Sequence, residues 1–397
     1  MIISLHNPIA LTFSVSPAVL REAEGKYKIT ISADTVCVFL YYEGHEKPLL
    51  LKAQASEGDR ATLVIREYRA ELWINGSLSD EDWPWGKPLF DGISLPDGIF
   101  SVENAPAEPE LPVVVSTFEN AEGWRPGGGI YVGDCMPYVS EGRYHVLYLK
   151  DRRHHQSKWG KGAHQWEHIS TDDFLRWQIH PMAVPITASW EGSVCTGSHI
   201  EKDGKHYLFY TIRTCDASPA PVCRSVSEDG YHFRKDPTFS FTLSEKYHRE
   251  SARDPKLVRA EDGSFHMFVT SSLLSADKGC LVHLISEDLE NWREAEEPIF
   301  LSDTHDQPEC PDYFAYRGKY YLVFSLRGVG QYRVSDKPFS DFRMPQNPVI
   351  PCESVPKGAI WEDRIIFTGF RRVEGYAGTM TFASAESDPS GELIFSK

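Results

Sequence analysis

The chain has 397 residues, 41% of them hydrophobic and 25% charged, which suits a globular protein with a large core and an accessory module. A formal net charge of −16 and one short basic cluster, Arg152, Arg153, His154, His155 and Lys158, exclude a polyanion binder, so no nucleic-acid partner is expected. There is no run of about 18 apolar residues, residues 1–8 lack a signal-peptide pattern, and the eight cysteines form no CxxC pair; a cytoplasmic protein with reduced thiols and no membrane partner is expected.

Residues 1–102 read as short strands. "KYKITISAD", "VCVFLYY", "ATLVIREY" and "AELWING" are rich in β-branched and aromatic residues and are punctuated by Asn, Gly and Asp. They predict a β-sandwich-like accessory domain. Residues 103–112, "ENAPAEPELP", carry three Pro and three Glu and read as a linker.

Residues 113–397 hold a repeat. Segments built as polar-Gly-x-aromatic followed by apolar residues start at 141 (EGRYHVLY), 203 (DGKHYLFY), 262 (DGSFHMFV) and 317 (RGKYYLVF), with a looser copy at 362 (EDRIIFTG). A second element shares a Ser, an acid and an aromatic: "STDDFLRW" at 170, "SEDGYHF" at 227, "SEDLENW" at 286 and, more weakly, "SDKPFSDF" at 335. The starts of the first element lie 62, 59, 55 and 45 residues apart, a period that fits one four-stranded blade. The fold class expected is therefore all-β: a five-bladed β-propeller over residues 113–397, with the N-terminal sandwich-like domain before it.

Three acids fall at similar places in this repeat. Asp134 lies eight residues before Gly142, Asp254 nine before Gly263, and Glu309 nine before Gly318. Thr196-Gly197-Ser198 holds the corresponding place in blade two, which makes Thr196 a candidate substrate contact. If that strand is innermost in each blade, the three acids face one end of the central channel. Glycoside cleavage needs one carboxylic acid to protonate the leaving oxygen and a second carboxylate as nucleophile or as base for water. A third can bind sugar hydroxyls and tune its neighbours. The partner expected is a small carbohydrate substrate. No His or Cys cluster accompanies the acids at ligand spacing, so no metal or cofactor is expected, although calcium would need oxygens alone.

Around these acids the sequence resembles glycoside hydrolase family 32, the β-fructofuranosidase family. "SARDPKL", with Arg253-Asp254-Pro255, resembles its RDP motif, and "PECPDYF", with Glu309-Cys310-Pro311-Asp312, resembles its ECPD motif. "GAHQWEHISTDDFLRW" and "CTGSHIEKDGKHYLFYT" are similar to its first-blade and second-blade segments, in the same order. The resemblance implies Asp134 as nucleophile, Asp254 as transition-state stabiliser, Glu309 as general acid/base and Arg253 as a forked donor to substrate hydroxyls. It also implies retention of configuration, with carboxyl groups about 5–5.5 Å apart. The nucleophile segment departs from the family's WMNDPNG. It reads "YVGDCMPYV", with Gly133 for the Asn and Cys135-Met136-Pro137 for Pro-Asn-Gly.

Further contacts are expected from less specific features. The basic segment 151–168 predicts a loop over the pocket, with Arg152 and His155 binding hydroxyls or an anion and Trp159 stacking on a sugar ring. Glu191 at the start of blade two and His305 before the ECPD-like segment are candidate lining residues. Two other functions fit the same residues: an inverting, arabinofuranosidase-like enzyme of a neighbouring five-bladed family, with carboxyls about 6.5–9.5 Å apart, and a non-catalytic carbohydrate-binding propeller. Oligomeric state is left open between a monomer and a homo-oligomer.

Overall fold

The structure is a computed structural model. It describes the chain except residues 1–4, 6–7, 17–20, 33, 67–68, 85, 107–115, 127–129, 153–163, 374 and 397, and the side chains of Arg21 and Arg152. The chain divides into two compact units, Met1–Glu110 with Ile186–Gly192, and Leu111–Pro185 with Ser193–Lys397.

The first unit is a β-sandwich. One sheet has five strands in the order Ser77–Asp82, Ala70–Ile74, Arg60–Ile65, Ile9–Ser14 and Ser101–Asn104. The other has four in the order Arg21–Ala23, Tyr27–Ser32, Thr35–Leu40 and Leu49–Gln54. Alternation along these strands puts Leu11, Phe13 and Leu63 of one sheet against Val36, Val38 and Leu51 of the other in a single buried core.

The second unit is a five-bladed propeller. Blade one is built from Ile130–Ser140, Arg143–Arg152, Gln165–Thr171 and Trp177–Ile179, and Ser116–Phe118 adds an outer strand. Blade two is Glu191–Lys202, Lys205–Thr214, Val222–Ser227 and Arg234–Phe241. Blade three runs from Arg253–Arg259 through Phe265–Leu273 and Lys278–Ser286, with the short strands Arg293–Glu294 and Phe300–Leu301 outside. Blade four is Glu309–Tyr316, Lys319–Leu326 and Val329–Ser335; blade five is Ser354–Trp361, Arg364–Arg372, Gly378–Ser387 and Leu393–Phe395. The first strands of blades one, three, four and five pack on one another, so they line the axis. A bridge between Val132 and Gly378 joins the last blade to the first.

Both sequence repeats have a local physical cause. The first marks a tight hairpin between strands one and two of a blade. Glu141-Gly142, Asp203-Gly204 and Arg317-Gly318 place two successive residues at positive φ, the backbone of a type I′ turn, where glycine carries no Cβ penalty. Blade five does the same with Glu362-Asp363, which is why its sequence copy is looser. The second marks the turn after strand three. The Thr171, Ser227 and Ser286 hydroxyls accept backbone N–H bonds, and the carboxylates two residues on, Asp173, Asp229 and Asp288, cap the next N–H groups.

A seam of buried imidazoles runs through blades one and two. His145 Nδ1 lies 2.9 Å from His168 Nε2, and His199 Nε2 lies 3.0 Å from His206 Nδ1. The Tyr138 ring stacks on both His145 and His199. Blade three repeats the arrangement with His266 and His283 at 2.7 Å. Burial, then His180 and Arg143, push His145 down to about 3, and burial, then His266 and Arg293, push His283 down to about 4. His168 and His199 are driven well below their ordinary value, first by burial. His145, His168, His199 and His283 are neutral in the fold and gain a proton on unfolding once the pH is below about 6.5. Their contribution is complete above that value and is lost as pH falls toward the folded values. Each imidazole then costs up to about 1.4 kcal/mol per pH unit. The melting temperature in scanning calorimetry is expected to fall steadily between pH 7 and pH 5; a flat profile over that range contradicts this account.

Candidate active site

The inner strands are interrupted at one level. In blade three Arg253 pairs with Thr270 and Lys256 with Phe268; in blade four Glu309 pairs with Ser325 and Asp312 with Val323; in blade five Ser354 pairs with Phe370 and Lys357 with Thr368. Two residues of the inner strand thus face one of its neighbour, a β-bulge. The first bulge residue is left-handed, with φ of 60° at Asp254, 51° at Cys310 and 43° at Val355. The second is Pro255, Pro311 or Pro356. Proline fits there because the bulge leaves that residue outside the hydrogen-bond ladder. Blade one bulges at the same level between Val132 and Cys135, with Gly133 and Asp134 as the extra residues.

The bulges correct the equivalence read from spacing. Asp254 is the first bulge residue of its blade, Asp134 the second, and Glu309 the paired residue just before its bulge. The three acids share a level on the axis, and each leaves the strand from a different position.

All three line one cavity of about 270 Å³, to which every blade contributes. Asp254 is 3% exposed. Its Oδ1 accepts the Thr196 hydroxyl at 2.5 Å, and its Oδ2 accepts the Cys310 backbone N–H at 3.0 Å. The Cys310 thiol lies 3.4 Å from Asp134 Oδ2 and 3.6 Å from Asp254 Oδ2, so one side chain spans the two carboxylates. Burial, then Asp254 and Asp134, hold that thiol well above its ordinary value, so it stays protonated and donates. Tyr376 donates to Asp134 Oδ1 at 2.6 Å and accepts the Asp134 backbone N–H at 3.3 Å. Burial and the Asp134 charge likewise keep the phenol protonated.

Glu309 is more open than Asp254, with a side chain 37% exposed. Arg253 reaches it with Nη2 at 3.1 Å. The other nitrogen, Nη1, donates to the Ser251 carbonyl at 2.9 Å and to Gln307 Oε1 at 2.5 Å. Gln307 is held in turn by Ser251 and Ser272. Burial works against the Arg253 charge, and Asp254 and Glu309 more than offset it. A half-buried, charged fork therefore sits between two of the acids.

Thr196 and Arg253 join the acids at the cavity; Glu191 and His305 do not line it. The Glu191 carboxylate accepts the backbone N–H groups of Thr187 and Ala188, and the His305 side chain is 80% exposed beside Asp306. His155 and Trp159 lie outside the described residues, as does the side chain of Arg152. Among the lining residues not singled out from the sequence are His164, Arg213, Arg372 and Tyr376. Arg213 and Arg372 sit on second strands of their blades at the cavity end, a position the repeat could have flagged. Among the described residues, no group of three His, Cys, Asp or Glu is placed to hold a metal ion.

A ring of five blades with three carboxylates gathered at its axis is a propeller of the glycoside-hydrolase kind. The profile of "Glycosyl hydrolases family 32 N-terminal domain" matches residues 135–342, just over half of the chain, and the chain belongs to that family. A protein of Bacillus subtilis (strain 168) named sucrose-6-phosphate hydrolase is 32% identical over 199 residues, covering 46% of this chain and 40% of that protein. A raffinose invertase of Escherichia coli is 29% identical over 219 residues, covering 52% and 42%. The chain thus matches about two fifths of the length of these curated relatives. Fructan 1-exohydrolase IIa from Cichorium intybus superposes with a TM-score of 0.57 at 18% identity, covering 70% of this chain and 60% of that one, which is a likeness of fold.

The Thr196 hydroxyl is the only side-chain oxygen donor to Asp254 Oδ1 among the described residues. Thr196→Val keeps the shape and leaves that buried oxygen without its donor, which costs about 1–3 kcal/mol. Chemical denaturation should read a loss of this size; an unchanged midpoint contradicts the contact.

Proposed function

We propose that this protein is a retaining glycoside hydrolase that cleaves a fructofuranosyl bond, with Asp134 as nucleophile and Glu309 as general acid/base. The observation that carries the reading is the convergence of Asp134, Asp254 and Glu309, from three blades, on one cavity. Family membership and relatives named for sucrose 6-phosphate and raffinose support the fructosyl part.

The chemistry follows from what each carboxylate touches. Asp134 attacks the anomeric carbon while Glu309 gives a proton to the leaving oxygen, and a glycosyl ester forms on Asp134. Glu309, now a carboxylate, takes a proton from water, which attacks the same carbon and releases Asp134. Two donors on Asp134, the Tyr376 phenol and the Cys310 thiol, hold it as an anion aimed into the cavity. The exposure of Glu309 gives it access to the water and the leaving group. Asp254, pinned by Thr196 and the Cys310 N–H, is fixed to hydrogen-bond sugar hydroxyls as positive charge develops on the ring.

Glu309→Gln should lower kcat on a cleaved fructoside by about 10²- to 10⁴-fold while leaving ligand Kd near the wild-type value. Full residual hydrolysis would remove Glu309 from the role. The first fructose released, followed by NMR, should be the β anomer. The α anomer would instead indicate the inverting, arabinofuranosidase-like chemistry, and sugar binding without turnover in the wild type would indicate a lectin-like propeller.

A second reading concerns the substrate alone. Among the described residues, Arg213 lines the cavity with its Nε buried and without a hydrogen-bond partner, and Arg372 lines it with a bond from Nε to the Ser354 hydroxyl. Guanidinium groups so placed suit a phosphorylated sugar. On this reading kcat/KM is higher for sucrose 6-phosphate than for sucrose, and Arg213→Ala erases at least about tenfold of that preference. Equal values for the two sugars, unaltered by the substitution, confine the substrate to neutral fructosides.

A further inference from the structure

A buried pair in the wall of this cavity has no part in the scheme above. Asp151, at the end of the strand Arg143–Arg152, is fully buried, and His164, just before the strand Gln165–Thr171, is 1% exposed. His164 Nε2 lies 3.4 Å from Asp151 Oδ1. Neither Asp151 oxygen nor that nitrogen makes a hydrogen bond to a described residue, and all three atoms are sealed from solvent. A buried carboxylate with no donor is costly, and native proteins keep one where it has work to do.

The position of the pair indicates the work. His164 lines the cavity, and its ring packs at 5.2 Å on that of Tyr376, whose hydroxyl holds Asp134. Its backbone N–H is tied to the Ser193 hydroxyl at 3.4 Å. With Nε2 turned to Asp151, Nδ1 is the ring atom left for a ligand. A carboxylate at Nε2 fixes the proton there and makes Nδ1 an acceptor. Separations of this kind often tighten only when substrate arrives.

We propose that Asp151 and His164 form a sugar-binding dyad, in which Asp151 orients the imidazole and Nδ1 of His164 accepts a hydroxyl proton from the sugar bound beside Asp134. The proposal deepens the glycosidase reading and rests on its view of the cavity as a sugar site. His164 is a specificity-determining contact and Asp151 a positioning residue. Together they supply polar contacts on the blade-one side, where Cys135, Met136 and Pro137 offer no amide side chain.

The test is steady-state kinetics on a cleaved fructoside, with sucrose first. His164→Ala should raise KM about 10- to 100-fold while kcat stays within about threefold, the pattern of a lost binding contact. His164→Gln, whose amide oxygen can also accept, should recover part of that loss. Asp151→Asn should raise KM about tenfold. An unchanged KM in His164→Ala and His164→Gln, with only the melting temperature lowered, overturns the dyad, and the His164 variants decide the matter if Asp151→Asn does not fold. If the wild-type protein cleaves no fructoside, the glycosidase reading fails separately. The dyad is then read by NMR of the His164 ring during titration with D-fructose, where a saturable shift supports it and an unmoved resonance sinks it.

Discussion

The cavity depends on one backbone device, the bulge at a common level of the inner strands. A regular strand alternates its side chains, so an acid at the rim would point either into the barrel of the axis or into the neighbouring blade. The extra residue breaks that alternation. It lets Asp254 leave the strand from a left-handed backbone and turn both oxygens toward groups of blades two and four. Positive φ at Cys310 and at the β-branched Val355 is unfavourable by about 1–3 kcal/mol each, so surrounding contacts must fix it. At Cys310 they do: its N–H is spent on Asp254 and its thiol on the two Asp side chains.

That device also settles how three like charges coexist. The nearest partners differ from acid to acid. Asp254 has a hydroxyl and a backbone N–H, Asp134 a phenol and a thiol, and Glu309 the guanidinium of Arg253. Neutral donors serve Asp134, and the Arg253 cation stands 3.1 Å from Glu309 and 3.5 Å from Asp254. The arrangement grades the site from a rigid, dry side at Asp254 to a solvent-facing side at Glu309. A reaction with one carboxylate fixed as an anion and another trading protons with water needs such a gradient.

Much of this was legible in the sequence because the elements that carry it are local. The Gly-aromatic hairpins and the Ser-x-Asp turns each follow from a few adjacent residues, and their spacing gave blades, strand order and the shared level of the acids. The Pro of "RDPK", "ECPD" and "SVPK" was visible as well, though its meaning as the second bulge residue needs the register. What stayed hidden comes from far away in the chain. Tyr376 reaches Asp134 across 242 residues from the segment between the second and third strands of blade five, and no repeat marks it. Glu191 and His305 failed to reach the cavity because nearby groups claim them: two backbone N–H groups for the first, open solvent beside Asp306 for the second.

The altered nucleophile segment takes a different meaning from this distance effect. Read along the sequence, Gly133 is a missing Asn and therefore a loss. In the fold, a Cβ at that position would stand 3.0 Å from the Tyr376 hydroxyl and 3.1 Å from Leu149. Both are closer than nearly all real contacts of a Cβ, and the Tyr376 hydroxyl is anchored on Asp134 at 2.6 Å, so it has little room to yield. Glycine at 133 thus leaves the phenol its room, and a Cβ there would push Tyr376 or Leu149 back by a few tenths of an ångström. A side chain that would have stood beside the acid in sequence has given way to one that reaches it from blade five, and the hydrogen bond to Asp134 is kept. The departure at 133 and the tyrosine from blade five thus belong to one arrangement around the same carboxylate.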